Sequence, residues 1–257
     1  MNSWFGEFEI SRVPLVLAIA TLASWRIGVW MGRSLARRHP GTKPSKFDDV
    51  SMALLGLLLA FTFGISIGKH DQRRLAVVAD SNAIGDFYAC ATLLKEPTRT
   101  DLRRAIRDYV ELRVSLARRR RIDSATLEQA LIHFAQMQSK MTELVGRALR
   151  DGTPIAVSLT NTLNEVTSNH ASRLAAIRDR LPASVMILLC VSSIVTTLLI
   201  GREQGLAAAT ETAGMLCFIL LVSLAVYTIL DLNQPDRGLI TVSQEPMERL
   251  FSSMPKE

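Results

Sequence analysis

Residues 51–68 read SMALLGLLLAFTFGISIG, eighteen positions without a charged side chain, and KHDQRRL (69–75) follows directly. At about 1.5 Å per helical residue such a run reaches roughly 27 Å, close to the hydrocarbon thickness of a bilayer. The run lacks the every-second-residue alternation of a membrane barrel strand. Three more runs share this character. Residues 13–31 hold one charge, Arg26, while 183–200 and 213–230 hold none. The implied fold is an all-α membrane protein with four transmembrane helices.

The polar remainder sets the organisation. The chain has 257 residues, 48% hydrophobic and 21% charged, with a net charge of +6. Its mean hydropathy is +0.21 and its pI about 9.6. Residues 69–181 contain 19 Lys/Arg and 13 Asp/Glu, so this segment carries the whole surplus. The expected plan is an N-terminal transmembrane hairpin (1–68), a cytosolic basic helical domain between helices 2 and 3 (69–181), a C-terminal transmembrane hairpin (182–230) and a cytosolic tail (231–257). Lys and Arg near the span ends number eight on the side shared by the N-terminus, middle region and tail, against six on the other, which favours a cytoplasmic middle region. The basic loop 32–50, with Arg33, Arg37, Arg38, Lys43 and Lys46, pulls the other way. Residues before 13 include Glu7, Glu9 and one basic residue, Arg12, so the first span reads as a retained anchor rather than a signal peptide.

Within 69–181 the pattern is helical. Nothing stops the second span after Gly68, so it runs on through Asp71–Leu94 as one long helix, with Pro97 as its stop. Thr98 or Thr100 caps the next helix, with Leu102, Ile106, Tyr109 and Leu116 on one stripe and Arg104–Asp108 and Arg107–Glu111 as pairs on its wet side. Ser124 starts a helix striped by Leu127, Leu131, Phe134, Met141 and Val145, and Gly152 ends it. Thr153 and Pro154 open the last, striped by Leu159, Leu163, Val166, His170, Leu174 and Ile177. A short extended piece is expected at 239–243.

Two constellations bear on function. Span one carries Ala20, Ser24, Gly28 and Gly32 at four-residue intervals, and span two carries Gly56, Ala60, Gly64 and Gly68 in the same way. Residues four apart share a helix face, and small ones let backbones approach closely in lipid. Both stripes read as helix-packing faces. Beside the second runs a bulky stripe, Leu57, Phe61 and Ile65, which continues as Gly68, Gln72, Ala79 and Asp86. An apolar ring opening onto polar positions is the pattern of a hydrophobic pore constriction, and equally that of a face turned to lipid. Phe63 and Ile67 offer the same on another face. Lys69, Arg73, Arg74, Asp80 and Asp86 then stand as charges near the mouth.

Other signals are bland. Arg26 and Glu211 lie towards span ends, within reach of the headgroups. The run 118–121 is four arginines without interleaved aromatics, which reads as a solvated helix end rather than a nucleic-acid site. The four histidines and three cysteines show no ligand spacing, and no phosphate-binding loop, nucleophile elbow or paired carboxylates occur. No enzyme activity, cofactor, metal or nucleic-acid partner is expected.

Several strings resemble, in this order, the bacterial bestrophin-like membrane proteins. They are LLAFTF (58–63), DQRR (71–74), DSNAIG (80–85), LNE (163–165) with His170 and Arg173, RLP (180–182), and LDL (230–232) followed by Pro235, Gly238, Leu239, Ile240, Val242 and Ser243. Asp80-Ser81 departs modestly from the Glu-Glu or Glu-Ala of the family pattern. More distantly, the order of elements is similar to bestrophins, pentameric ion channels with a cytosolic bundle between spans two and three and an apolar neck on span two. The resemblance implies a homo-oligomeric channel of the bacterial inner membrane that passes ions, with its neck at Leu57, Phe61 and Ile65. The acidic calcium clasp of animal bestrophins is not matched by the scattered Asp231, Asp236, Glu245 and Glu248, so calcium gating is not implied. The competing expectation is a non-conducting membrane scaffold whose basic helical domain docks a protein partner or anionic lipid.

Overall fold

The computed structural model describes residues 12–39, 47–118, 124–208, 211–234 and 239–255. Eight helices follow in order: α1 (Arg12–Arg38), α2 (Phe47–Thr92), α3 (Thr98–Ala117), α4 (Ser124–Arg150), α5 (Ala156–Arg178), α6 (Ala183–Leu206), α7 (Thr212–Asn233) and α8 (Glu245–Ser253). No strand occurs among the described residues, and the stretch expected to be extended near 239–243 is irregular. Four helical stretches are long and apolar enough to cross a membrane: α1, α2, the apolar part of Ala156–Leu206 that falls on α6, and α7. The protein is a helical membrane protein.

The chain divides into two compact units. The first comprises Met1–Lys69 and Arg180–Ile240. Its tightest contact joins α1 to α6, backbone to backbone. A methyl group on Gly28 would overlap the Leu198 carbonyl, and one on Gly32 the Arg202 carbonyl. Reciprocally, Gly201 leaves room only for the Trp25 carbonyl and Gly205 only for that of Val29. The α6 side of this contact is itself a four-residue stripe, Ser193, Thr197, Gly201 and Gly205, all buried. Ser24 Oγ donates to the Ile194 carbonyl at 2.8 Å, and Trp25 Nε1 to Gln204 Oε1 at 2.9 Å. Residue number rises together along both helices in these contacts, so α1 and α6 run parallel. Two apolar clusters fill the remaining space. Leu17, Met186, Leu189, Val226 and Ile229 form one, and Trp25, Val29, Ile200, Met215 and Ile219 the other. These pairings make α7 antiparallel to α1 and α6.

The end of this unit is tied by side-chain carbonyl and carboxylate groups. Asp231, buried, accepts from the backbone N–H of Leu239 at 2.9 Å and of Ile240 at 2.8 Å. Asn233 Oδ1 accepts from the Leu181 N–H at 2.7 Å. The first of these contacts gives the LDL block and the Leu239-Ile240 pair a common physical reason: one carboxylate ties them together. Pro235, Asp236 and Gly238 lie outside the described residues, as do Lys43 and Lys46 of the basic loop.

The second unit comprises His70–Asp179 and Thr241–Glu257. Its core is one cluster drawn from the lower part of α2, from α3, α4, α5 and α8, with Ile84, Phe87, Leu102, Ile106, Tyr109, Met141, Leu159 and Met247 among its most buried members. Gly152, at φ +72°, ends α4 as its spacing implied, with its N–H on Leu149 O and that of Thr153 on Ala148 O. Helix α5 starts later than Thr153 and Pro154 suggested, at Ala156. The expected Arg107–Glu111 pair gives way to a longer reach: Arg107 donates to the Met254 and Pro255 carbonyls and lies over the Phe251 ring. Arg118 pairs with Glu248 at 3.1 Å, and Arg119–Arg121 lie outside the described residues.

Candidate functional site: the open face of α2 and a buried charge cluster

Helix α2 is the least covered of the four apolar stretches. Its apolar window is 17% buried, against 33–39% in the other three. The cause is how its side chains are distributed. Leu55, Thr62 and Ser66 face the interior, and the two hydroxyls donate to their own helix at Leu58 O (2.7 Å) and Thr62 O (2.9 Å). On the outside stand Leu57, Phe61 and Ile65, 52%, 64% and 52% exposed. Phe63 and Ile67 are exposed as well. Nothing lies within 4 Å of a Cβ added at Gly56, Gly64 or Gly68, and Ala60 is exposed beside them. Of the two small-residue stripes, the one on α1 meets α6 at Ser24, Gly28 and Gly32, with Ala20 half-buried, and the glycines of the one on α2 meet nothing among the described residues.

The charges read as mouth groups fall into two sets. Arg74 and Asp86 are exposed, Arg74 beside Asp71 at 3.9 Å, and Lys69 is half-buried. Asp86 borders a shallow groove with Asn82, Gly85 and Arg249. Arg73 and Asp80, in contrast, are buried inside the second unit. Arg73 donates to the Ala176 carbonyl at 3.1 Å and the Asp179 carbonyl at 2.8 Å. Within the protomer neither Arg73 nor Asp80 presents its charge at a surface.

Asp80 is instead the centre of a cluster. Its Oδ2 accepts from Arg113 Nη1 on α3 and, at 3.0 Å, from Arg173 Nη1 on α5. Arg173 also donates to Gln244 Oε1 at 2.7 Å. Arg113 Nη2 reaches the Tyr109 hydroxyl and His170 Nδ1. Its guanidinium lies beside the edge-to-face pair of Tyr109 and Phe134, 4.8 and 5.3 Å from their ring centroids. Gln138 Nε2 approaches the Tyr109 hydroxyl at 3.4 Å. Asp80 Oδ1 and Arg113 Nε have no hydrogen-bond partner among the described residues. Burial, with Arg113 next to it, lowers the Arg173 guanidinium from its ordinary value. Buried ions of this kind hold only when paired, because desolvation costs several kcal/mol for each (about 20 in the idealised limit).

Sequence reading reached Asp80, His170 and Arg173 without joining them, and it missed Arg113. The missing signal was a charge standing on an apolar stripe. Arg113 follows Tyr109 by four and falls where the Leu102, Ile106, Tyr109, Leu116 series should hold an apolar side chain. The other candidates stay separate from this cluster. Arg26 lies over the Trp25 ring at 5.8 Å, Glu211 is exposed, and the cysteines are free thiols. No group of three metal-ligating side chains occurs among the described residues.

Four bilayer-length apolar helices, one of them with an open apolar face, and a separate helical module with a buried Arg–Asp–Arg core define the class as a helical membrane protein with an appended bundle. The family model described as Bestrophin-like domain matches residues 15–247, and the chain belongs to the bestrophin-like family. No curated protein and no solved structure matches it.

Proposed function

We propose that this protein is a homo-oligomeric ion channel of the bacterial inner membrane, with the outward face of α2 lining the axis and Leu57, Phe61 and Ile65 as its apolar constriction. The observation that carries this reading is the open face itself. The three side chains are more than half exposed in the protomer, and the small-residue stripe next to them leaves room for another helix. Around a symmetry axis that pairing supplies both needs of a pore: copies that approach closely, and a ring of bulky apolar groups that controls wetting. The parallel course of α1 and α6 supports the topology. Both would enter the bilayer from one side, so the chain between them crosses it once, on α2. The helical module, the start of α1 and the tail then share a side, assigned to the cytosol. No catalytic step belongs to this reading. Its partners are lipid, permeant ions and further copies of the chain.

Reconstituted vesicles test it. The wild type should pass ions, and Phe61→Ala should pass them faster, since the bulkiest and most exposed of the three groups is removed. A well-folded oligomer that conducts in neither form would reject the channel and favour the scaffold.

A further inference from the structure

The cluster around Asp80 has one member whose charge is not fixed. An arginine offers only donors, so the histidine nitrogen that faces Arg113 must bring a lone pair. His170 Nδ1 is that nitrogen, which puts the ring proton on Nε2 and leaves the imidazole neutral. The groups facing it are known from each packed element. Asp80 comes from α2, and Tyr109 and Arg113 from α3. From α4 comes the Phe134 ring at 5.5 Å, with Gln138 one step away on the Tyr109 hydroxyl. Arg173 shares its own helix and is held in turn by Gln244. With His170 neutral, two guanidiniums face one carboxylate. A second proton on the ring would abolish the acceptor for Arg113, set two cations in contact and leave three positive groups around a single carboxylate.

We propose that His170 is a proton sensor for the helical module: its protonation severs the Arg113 contact and loosens α3 and α5 from the Asp80 of α2. The geometry alone requires the loss of the Arg113 contact, because no rotation of a doubly protonated ring restores an acceptor. In keeping with it, burial first and Arg113 second hold the imidazole down to about 4, with Asp80 opposing them. The sign follows from linkage. An unfolded histidine titrates near 6.5. Between that value and about 4 the open chain binds a proton that the folded module refuses, so stability falls as pH falls through this window and levels out below it. The inference stands whether or not the protein conducts. Asp80 lies on the same helix as Phe61, so in a conducting protein the sensor on α5 would act on the pore helix.

The test uses the full chain in detergent. Amide hydrogen exchange in α3 and α5, corrected for the intrinsic pH dependence, should accelerate by about tenfold or more between pH 6.5 and 4.5. In His170→Gln, whose amide oxygen can accept from Arg113 but gains no proton, the same change should stay below about twofold. Equal acceleration in both proteins would overturn the proposal. If the variant fails to fold, direct titration of the His170 ring in the wild type by NMR decides. A midpoint well below 5.5 upholds the sensor, and one at or above that value refutes it.

Discussion

Helices α1 and α2 carry nearly the same sequence device and use it in opposite ways. Each presents four small residues at four-residue intervals. On α1 that face is filled by α6, so closely that Gly28 and Gly32 touch backbone carbonyls. On α2 the equivalent face at Gly56, Gly64 and Gly68 meets nothing among the described residues. The difference lies in the partner. Helix α6 brings its own stripe, Ser193, Thr197, Gly201 and Gly205, in register with α1, whereas among the described residues nothing reaches the α2 glycines. A small-residue stripe therefore marks where a backbone can approach. The matching stripe on another helix decides whether it does. In lipid, where burying apolar side chains between helices gains little, the close packing that this match permits helps to drive association.

Gly201→Leu is the strongest way to break the comparison. The new side chain would enter the Trp25 carbonyl, and the obstacle is backbone that cannot rotate aside. Overpacking of this kind costs ~1–3 kcal/mol or more. Loss of monodisperse protein, or a clear fall in the thermal midpoint in detergent, is the expected result. An unchanged midpoint would mean that α1 and α6 are not in backbone contact. Ser24→Ala is a finer probe of the same contact. It removes the hydroxyl that donates to the Ile194 carbonyl but leaves the spacing intact. Interhelical bonds of this kind average ~0.6 kcal/mol. A small drop in the midpoint should appear for Ser24→Ala and not for Thr228→Ala, whose hydroxyl bonds only within its own helix, to Leu224 O.

The parts of the fold that were legible are those written locally. Runs of bilayer length with one charge at most announce the four apolar helices, the absence of a stop after Gly68 announces that α2 runs on past its apolar part, and Gly152 announces the end of α4. What could not be read depends on distant partners. The Gly201 and Gly205 stripe begins inside an apolar run but ends beside Arg202 and Glu203, outside the stretch that hydropathy picks out. Arg113 looks like one more cation in a basic segment until Asp80, 33 residues earlier, is seen beside it. The tail reads as an appendage, yet Asp231 fastens Leu239 and Ile240, and Met247 and Met254 are buried in the helical module. Of the proposed pore, the apolar stripe was visible in the sequence. That Arg73 and Asp80 are turned inward was not, because helical periodicity gives faces without saying which one the core will cover.

Gly64→Leu should have the smallest effect on the protomer and sharpens the comparison most. The substitution is chemically the same as that at Gly201, in another apolar helix, but here the new side chain meets open space. With no clash, what remains is intrinsic propensity, which in water favours leucine over glycine by up to ~1 kcal/mol. The thermal midpoint of the protomer should therefore hold or rise slightly. Assembly is where the change should register. If another copy seats a helix on this face, a leucine at 64 holds it off, and the particle should shrink or lose its symmetry in electron-microscopy images while each protomer stays folded. Unaltered particles would mean that the glycine face looks onto lipid. Leu57, Phe61 and Ile65, one helix face over, would then have to be assigned to lipid as well.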